Sequence, residues 1–203
     1  MDGAPAENGG WSEVEKAKMD KGFEFQSRVA TDLVRMGYLE GHVRMGPRVP
    51  EGYNHKARLK DLGHTHYESP DITVINDWME GPKLKWKFGL CCSFRGKLWE
   101  LNGDEYITIP LHQVPEYHRI VNEKKLTLYW AMGWGDPMKT EIKYLPACAP
   151  YKEIPINDHA ARQKGKPFTM FAGYDWNKAM DRQTFIAERR LRGDDEVRFS
   201  ISR

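Results

Sequence analysis

The order of helical and strand-like segments along this chain is the feature that most constrains its fold. Residues 21–36 carry apolar side chains at helical spacing, with Phe25, Val29 and Leu33 on one stripe. Gly37 is expected to end this helix as its C-terminal cap. Two apolar segments rich in strand-forming residues follow, at 72–75 and 86–94, and a second helix is expected to begin near Pro115. A further strand is expected at 126–132. This alternation predicts the α/β class, with a mixed central sheet flanked by helices.

The length of the chain predicts one globular domain. The sequence has 203 residues, of which 40% are hydrophobic and 30% charged, as in folded rather than disordered proteins. We expect a flexible tail over residues 1–10, a core over 11–150, and a C-terminal loop and helix over 151–203 that pack on that core. Prolines and a lysine- and glycine-rich stretch predict a loop over 146–172, and Asp175 is expected to cap a last helix over 176–192.

Several classes of protein are disfavoured by the composition. No apolar run approaches the roughly 20 residues that a membrane-spanning helix needs, so no membrane partner is expected. The N-terminal segment does not resemble a secretory signal, which predicts a cytoplasmic protein, or one of the virion or host cytoplasm if the protein is viral. Three cysteines do not make a disulfide framework. A net charge of +2 neither requires nor excludes a nucleic-acid partner.

A series of short motifs follows the order of elements. The helix carries Gly-x-x-Phe at 22–25, the first strand opens with Pro70-Asp71, the second carries Cys91-Cys92-Ser93, and His112-Gln113 opens the next helix. In order and spacing these motifs resemble the PD-(D/E)XK nuclease superfamily, over about residues 20 to 145. The resemblance implies a restriction-endonuclease-like fold for the central sheet and its helices.

The resemblance also implies which positions form the site. Members of the superfamily use a helix glutamate, an aspartate after proline and an acid-x-lysine on the next strand, and a glutamine on the following helix lies near the phosphate path. Asp71 matches the aspartate and would be the metal ligand, if there is one. Gln26 occupies the helix-acid position, Cys91 the strand acid, Ser93 the lysine and Gln113 the glutamine.

At three of the four charged positions of the superfamily this sequence has an uncharged residue, which predicts a decayed catalytic site. A magnesium ion prefers carboxylate oxygens, whereas a thiol with a reference pKa of about 8.5 is mostly neutral and is a soft ligand. Glu24 is a second candidate for the helix acid, but it lies about 200° around the helix from Gln26 at ~100° per residue. Asp71 would otherwise be a strand-end residue that caps a turn. We therefore expect no cofactor, and Mg²⁺ only if other residues restore the site.

Relocated groups would provide such a rescue. Glu100 and Glu105 follow the second strand within one hairpin, and Lys97 or Arg95 would supply the cation. Their presence leaves an active magnesium-dependent endodeoxyribonuclease as an alternative to an inactive homologue.

Basic residues that flank the motif region form a candidate nucleic-acid-binding surface. Arg58 and Lys60 precede the Asp71 strand, and Lys164 and Lys166 lie in the late loop, with Arg95 at the end of the second strand. If they converge, they would track phosphates of double-stranded nucleic acid. Basic residues in loops are also commonly just solvated surface.

Three functions follow from these patterns, in order of preference. The first is a nuclease-fold protein with a decayed site that serves as a nucleic-acid-binding or assembly component. The second is the active endonuclease with relocated ligands. The third is a structural or protein-interaction component, viral in one version, whose cleft has no ligand.

Overall fold

The structure, a computed structural model, describes residues 13–46, 70–75, 86–124, 127–156 and 168–192. These segments contain three α-helices: α1 (Glu13–Arg35), α2 (Val114–Lys124) and α3 (Arg182–Leu191). Their nine strands are β1 (Val43–Met45), β2 (Ile72–Ile75), β3 (Trp86–Arg95), β4 (Trp99–Leu101), β5 (Asp104–Pro110), β6 (Leu128–Trp134), β7 (Lys143–Pro146), β8 (Lys152–Ile156) and β9 (Thr169–Asp175). The protein is thus a mixed α/β fold, and no helix of these segments is long and apolar enough to cross a bilayer.

The first sheet contains five strands in the order β1-β2-β3-β6-β7. The strands β3 and β6 pair in parallel, from Gly89 opposite Leu128 to Arg95 opposite Trp134, and the other neighbours are antiparallel. Because parallel neighbours need a long crossover, the chain leaves β3, forms the β4–β5 hairpin and α2, and returns as β6. The mixed central sheet that the sequence predicts is therefore present.

The second sheet contains four antiparallel strands in the order β4-β5-β9-β8. Two of them, β8 and most of β9, lie in the segment 146–172 that we expected to be a loop, so that expectation is wrong. That expectation depended on the prolines of this segment. Pro155 lies in β8, which is an edge strand, and an edge strand tolerates a missing N–H because one of its sides has no neighbour. The last helix is also shorter than expected: it begins at Arg182 after Asp181, whose carboxylate accepts from the backbone N–H of Thr184 at 2.8 Å.

Helix α1 runs without a break through Gly22 and ends where the sequence predicts. Gly37 has φ 107°, which favours glycine, and the backbone N–H of Tyr38 donates to the carbonyl of Leu33 at 3.2 Å. This hydrogen-bonded turn terminates the helix and directs the chain towards β1.

The five-stranded sheet has two buried faces, which we name after the helices on them. On the α1 face, Phe88 and Leu90 of β3 join a cluster with Phe25 of α1 and Phe185 of α3. On the α2 face, Cys91 of β3 joins a cluster that draws on β6, α2 and the four-stranded sheet and includes Ile107, Ile120, Trp130 and Tyr174. Successive residues of a strand point to opposite faces, so Cys91 and Cys92 belong to different cores.

Candidate functional site

Pro70 and Asp71 lie directly before the first residue of β2. Gly89 in β3 leaves the space that the Pro70 ring occupies. Pro70 is buried, and a Cβ added to Gly89 would lie 2.6 Å from the Pro70 Cγ atom. The backbone N–H of Cys92 donates to the Asp71 carboxylate, Oδ2, at 2.7 Å, and the Asp71 carbonyl accepts from Gly46 at 2.8 Å. The half-buried carboxylate therefore adds one hydrogen bond to those that join β2 and β3. This gives the Asp71 side chain a role in holding the two strands together.

Cys91 and Ser93 lie beside Asp71 on the α2 face, and both are buried. Residues two apart on a strand share a face, and both side chains point to the core between the two sheets. Cys91 is 1% exposed and Ser93 5% exposed. Both side chains therefore lie on the Asp71 side of the sheet and are enclosed by the core.

The environment of the two adjacent thiols keeps them protonated. Burial, followed by the negative charge of Asp71, raises the pKa of Cys91 well above its usual value, while hydrogen bonds with the Tyr117 side chain and the Asp71 backbone oppose that rise. Burial and the same charge raise the pKa of Cys92 well above its usual value too. Neutral, desolvated thiols are poor ligands for a hard cation, so this pair does not fit a magnesium ion.

Arg95 shows how closely the four-stranded sheet covers the end of β3. Its Nε atom donates to the carbonyl of Thr108 in β5 at 2.6 Å, and Nη1 donates to the carbonyl of Phe94 at 3.0 Å. Burial lowers the pKa of this guanidinium from its usual value. Arg95 thus joins the two sheets through backbone carbonyls. Within the described segments no carboxylate pairs with it.

Gln26 and Glu24, the two candidates for the helix acid, are separated from Asp71, Cys91 and Ser93 by the sheet. Both lie on α1, which packs against the α1 face. Gln26 is half-buried and Glu24 is exposed. Gln113 is half-buried at the end of the short 3-10 helix Leu111–Gln113 that leads into α2. The structure thus brings three of the expected site residues to one face and leaves the helix acid position on the other.

The residues proposed to rescue the site lie in the four-stranded sheet or next to it. Glu100 and Glu105 are opposite one another in the β4–β5 hairpin, and both are exposed, as is Lys97 in the turn before β4. Over the described ranges, no group of three or more His, Cys, Asp or Glu side chains could hold a metal ion. Arg58, Lys60, Lys164 and Lys166 lie outside the residues that the structure describes.

Tyr117 is a site residue that the motif-based reasoning missed. It lies on α2, its side chain hydrogen-bonds with Cys91, and its ring contacts Trp130 edge to face at 4.5 Å between centroids. Val114, Tyr117 and Val121 recur at helical spacing and pack towards the α2 face, and that periodicity was the available signal.

A depression of about 450 Å³ lies elsewhere, between α1, α3 and the segment before β7. Its lining residues are Arg28, Asp32, Glu141, Ile142, Asp181, Arg182 and Gln183. Several of these are already engaged within the fold: Asp32 accepts from the Tyr144 hydroxyl at 2.8 Å and lies 3.6 Å from Arg182 Nε. This seam joins α3 to α1 and to the sheet, which accounts for its charges without a ligand.

No protein-family model matches the chain, and no curated protein matches it significantly.

Proposed function

We propose that this protein is a non-catalytic, nucleic-acid-binding or assembly component built on a restriction-endonuclease-like scaffold. The order α1, β1, β2, β3, α2, β6, with β3 and β6 parallel, suits that scaffold. One observation carries the proposal. At the positions of the acid and the lysine stand Cys91 and Ser93, both buried, while the Asp71 carboxylate binds the backbone N–H of Cys92.

The chemistry of these side chains argues against phosphodiester hydrolysis. Metal-assisted hydrolysis needs a hard cation that neutralises charge and activates water, and such a cation takes oxygen ligands. Asp71 is the one carboxylate among the four expected motif positions. A protonated thiol and a buried hydroxyl supply neither the negative charge for the metal nor the positive charge for the transition state. Fold alone does not supply an activity that the site lacks.

Cations without carboxylate partners support the binding part of the proposal. In the described segments Arg95 binds only backbone carbonyls, and Lys97 is exposed with no ion pair. The sequence adds Arg58, Lys60, Lys164 and Lys166. Contacts from such residues to phosphates give affinity without reading base sequence. We therefore infer weak binding to duplex DNA with little sequence preference.

A cleavage assay tests the loss of catalysis. With Mg²⁺ or Mn²⁺, we expect no cutting of plasmid or oligonucleotide above background. The matched variants are Asp71→Ala and Asp71→Asn, since the asparagine keeps an oxygen that can accept from the Cys92 N–H but carries no charge. Metal-dependent cutting by the wild type that both variants abolish, while the asparagine variant stays folded, would overturn the proposal and favour the endonuclease with relocated ligands.

A salt titration tests the binding. The anisotropy of a labelled duplex should report an affinity that falls with salt, with a log-log slope of about 0.9 per phosphate contact. Replacing Arg58, Lys60, Lys164 and Lys166 by alanine should flatten that slope, whereas Arg58→Lys with the lysines intact should preserve it, since the charge remains. If the wild type fails to bind even at low ionic strength, the nucleic-acid part fails, and a structural or protein-interaction component is left.

A further inference from the structure

An exposed tryptophan stands at the carboxyl end of the parallel strands β3 and β6. Trp134 is the last residue of β6, it is 41% exposed, and its partner in the parallel register is Arg95. Tryptophan carries the largest apolar side chain and is usually mostly buried, so a half-exposed indole in an ordered strand calls for an explanation.

The backbone around Trp134 is held in place by a network of hydrogen bonds. Its own N–H donates to Thr140 Oγ1 at 3.0 Å, and the next N–H, that of Gly135, donates to the Arg95 carbonyl at 2.9 Å. Gly135 has φ 83°, a conformation that favours glycine. On the far side of the turn, Arg28 Nη1 donates to the Pro137 carbonyl at 3.0 Å. The turn that carries the indole is therefore already ordered by hydrogen bonds. Binding of a ligand there would cost little conformational entropy of the backbone.

Two basic residues lie next to Trp134, one in the neighbouring strand and one in the adjoining turn. Arg95 is its register partner, and exposed Lys97 follows two residues later in the turn that the Gly135 hydrogen bond holds against β6. Neither cation has a carboxylate partner among the residues that the structure describes. The acid of the Trp134 turn is Asp136, which lies 3.7 Å from Lys139 Nζ and accepts from the Met138 N–H at 2.9 Å. Asp136 thus has a cationic neighbour of its own within the turn.

We propose that Trp134 is a stacking platform for an unpaired base of single-stranded nucleic acid, with Lys97 and Arg95 attracting the neighbouring phosphates. A flat aromatic ring next to cations is the combination that binds single strands without sequence preference, because every base has a face to stack. Lys97 is the direct phosphate contact. Arg95 acts through its charge, since its guanidinium is already bonded to carbonyls. The inference rests on the proposed nucleic-acid binding and refines it.

Anisotropy titrations of the full chain with labelled oligo(dT) and with a duplex of equal length test this inference. Trp134→Ala should weaken oligo(dT) binding roughly 5- to 100-fold and affect the duplex less. Trp134→Phe should keep much of the affinity because it keeps a ring. Lys97→Ala should lower the salt slope by about one. The matched control is Met138→Ala, since Met138 is 62% exposed in the same turn and has no ring.

The outcomes separate this inference from the function it rests on. If the wild type binds neither oligonucleotide, the proposed function fails and the stacking platform with it. If the wild type binds and Trp134→Ala binds equally well, the platform is wrong and the proposed function stands. An equal loss in Met138→Ala would also overturn the platform, because it would identify the turn as an apolar docking surface for a protein.

Discussion

The two faces of the five-stranded sheet are packed with different kinds of side chain. On the α1 face, Phe185 stacks on Tyr144 at 4.2 Å between centroids and meets Tyr129 edge to face at 5.1 Å. The buried cation on that face, Arg189, has its guanidinium 4.3 Å from the Phe88 ring and donates to the Tyr129 hydroxyl at 3.3 Å. Large rings and a partnered cation are what a core selected for packing contains.

On the α2 face the motif positions carry small or polar side chains, although the cluster around them also contains the rings of Trp130 and Tyr174. Asp71, Cys91 and Ser93 occur together there, and the Ser93 hydroxyl is buried with no hydrogen-bond partner in the described segments. A buried hydroxyl without a partner costs free energy and needs a reason beyond packing. The two faces therefore differ in how a buried polar group is held: Arg189 contacts rings and a hydroxyl, whereas the Ser93 hydroxyl has no partner among the described residues.

The greatest loss of stability is expected from placing two charged side chains on the α2 face. Cys91→Glu with Ser93→Lys would place a carboxylate and an ammonium where the native side chains are 1% and 5% exposed. Burying each charge costs several kcal/mol, against a typical stability of about 5–15 kcal/mol. We expect the double variant to unfold or to lose most of its cooperative melting in circular dichroism.

Glu105→Lys is the control for that experiment, because it changes a charge at an exposed position of the β4–β5 hairpin and should melt like the wild type. A double variant as stable as the wild type would mean that the α2 face opens to solvent, and the contrast between the faces would fail.

A large effect is also expected from truncating the aromatic cluster of the α1 face. Phe185→Ala removes a side chain with 0% exposure that contacts three rings, and such changes cost about 3–5 kcal/mol. Urea unfolding should show the loss, and Gln183→Ala, an exposed change in the same helix, should not. A loss below about 1 kcal/mol would show that the cluster is loosely packed.

Alkaline pH should destabilise the protein through a buried tyrosine on each face. Burial raises the pKa of Tyr174 to about 12, with the Trp130 side chain opposing the rise, while an unfolded tyrosine titrates near 10. The contribution of protonated Tyr174 to the free energy of unfolding is fully present below pH 10 and is lost as the pH rises towards 12. The reason is that Tyr174 loses its proton at a lower pH in the unfolded state than in the folded state. Tyr174→Phe should therefore lose less stability than the wild type between pH 9 and pH 11.

Tyr144 on the α1 face provides the comparison. Burial, followed by Asp32, raises the pKa of Tyr144 well above its usual value, and its hydroxyl donates to Asp32 at 2.8 Å. Tyr144→Phe should share the flatter alkaline profile, yet cost about 1 kcal/mol at pH 7 through the lost hydrogen bond. Urea midpoints across this pH range measure both variants. If the wild type and Tyr174→Phe lose the same stability as the pH rises, the Tyr174 hydroxyl is not buried as described.

The smallest effect is expected at Ser93. Ser93→Ala removes a buried hydroxyl without a described partner, so the free energy of unfolding should change by less than about 0.5 kcal/mol or should increase. Thr140→Ala is the contrasting variant, because the Thr140 hydroxyl accepts from Trp134 N–H and donates to the Glu141 carbonyl. Should Ser93→Ala prove as costly as Thr140→Ala, the Ser93 hydroxyl has a partner and the two faces are more alike than described.

The sequence predicted the elements that have a regular apolar pattern or a clear residue signal at their ends. The stripe of Phe25, Val29 and Leu33 predicted α1, and Gly37 marked its end. The β-branched residues 72–75 predicted β2. The strands β8 and β9 were missed because prolines suggest a loop wherever the neighbouring strand is unknown, and an edge position becomes visible only in the assembled sheet.

The α/β class, the order of elements around the motif positions and the absence of charge at three of those four positions follow from residue identity and from contacts between near neighbours. The enclosure of Cys91 and Ser93, and the position of Gln26 across the sheet from them, became visible in the folded structure. Burial and convergence depend on which faces pack together. The alternation of a strand says that two residues share a side, but the elements that cover that side come from distant parts of the chain.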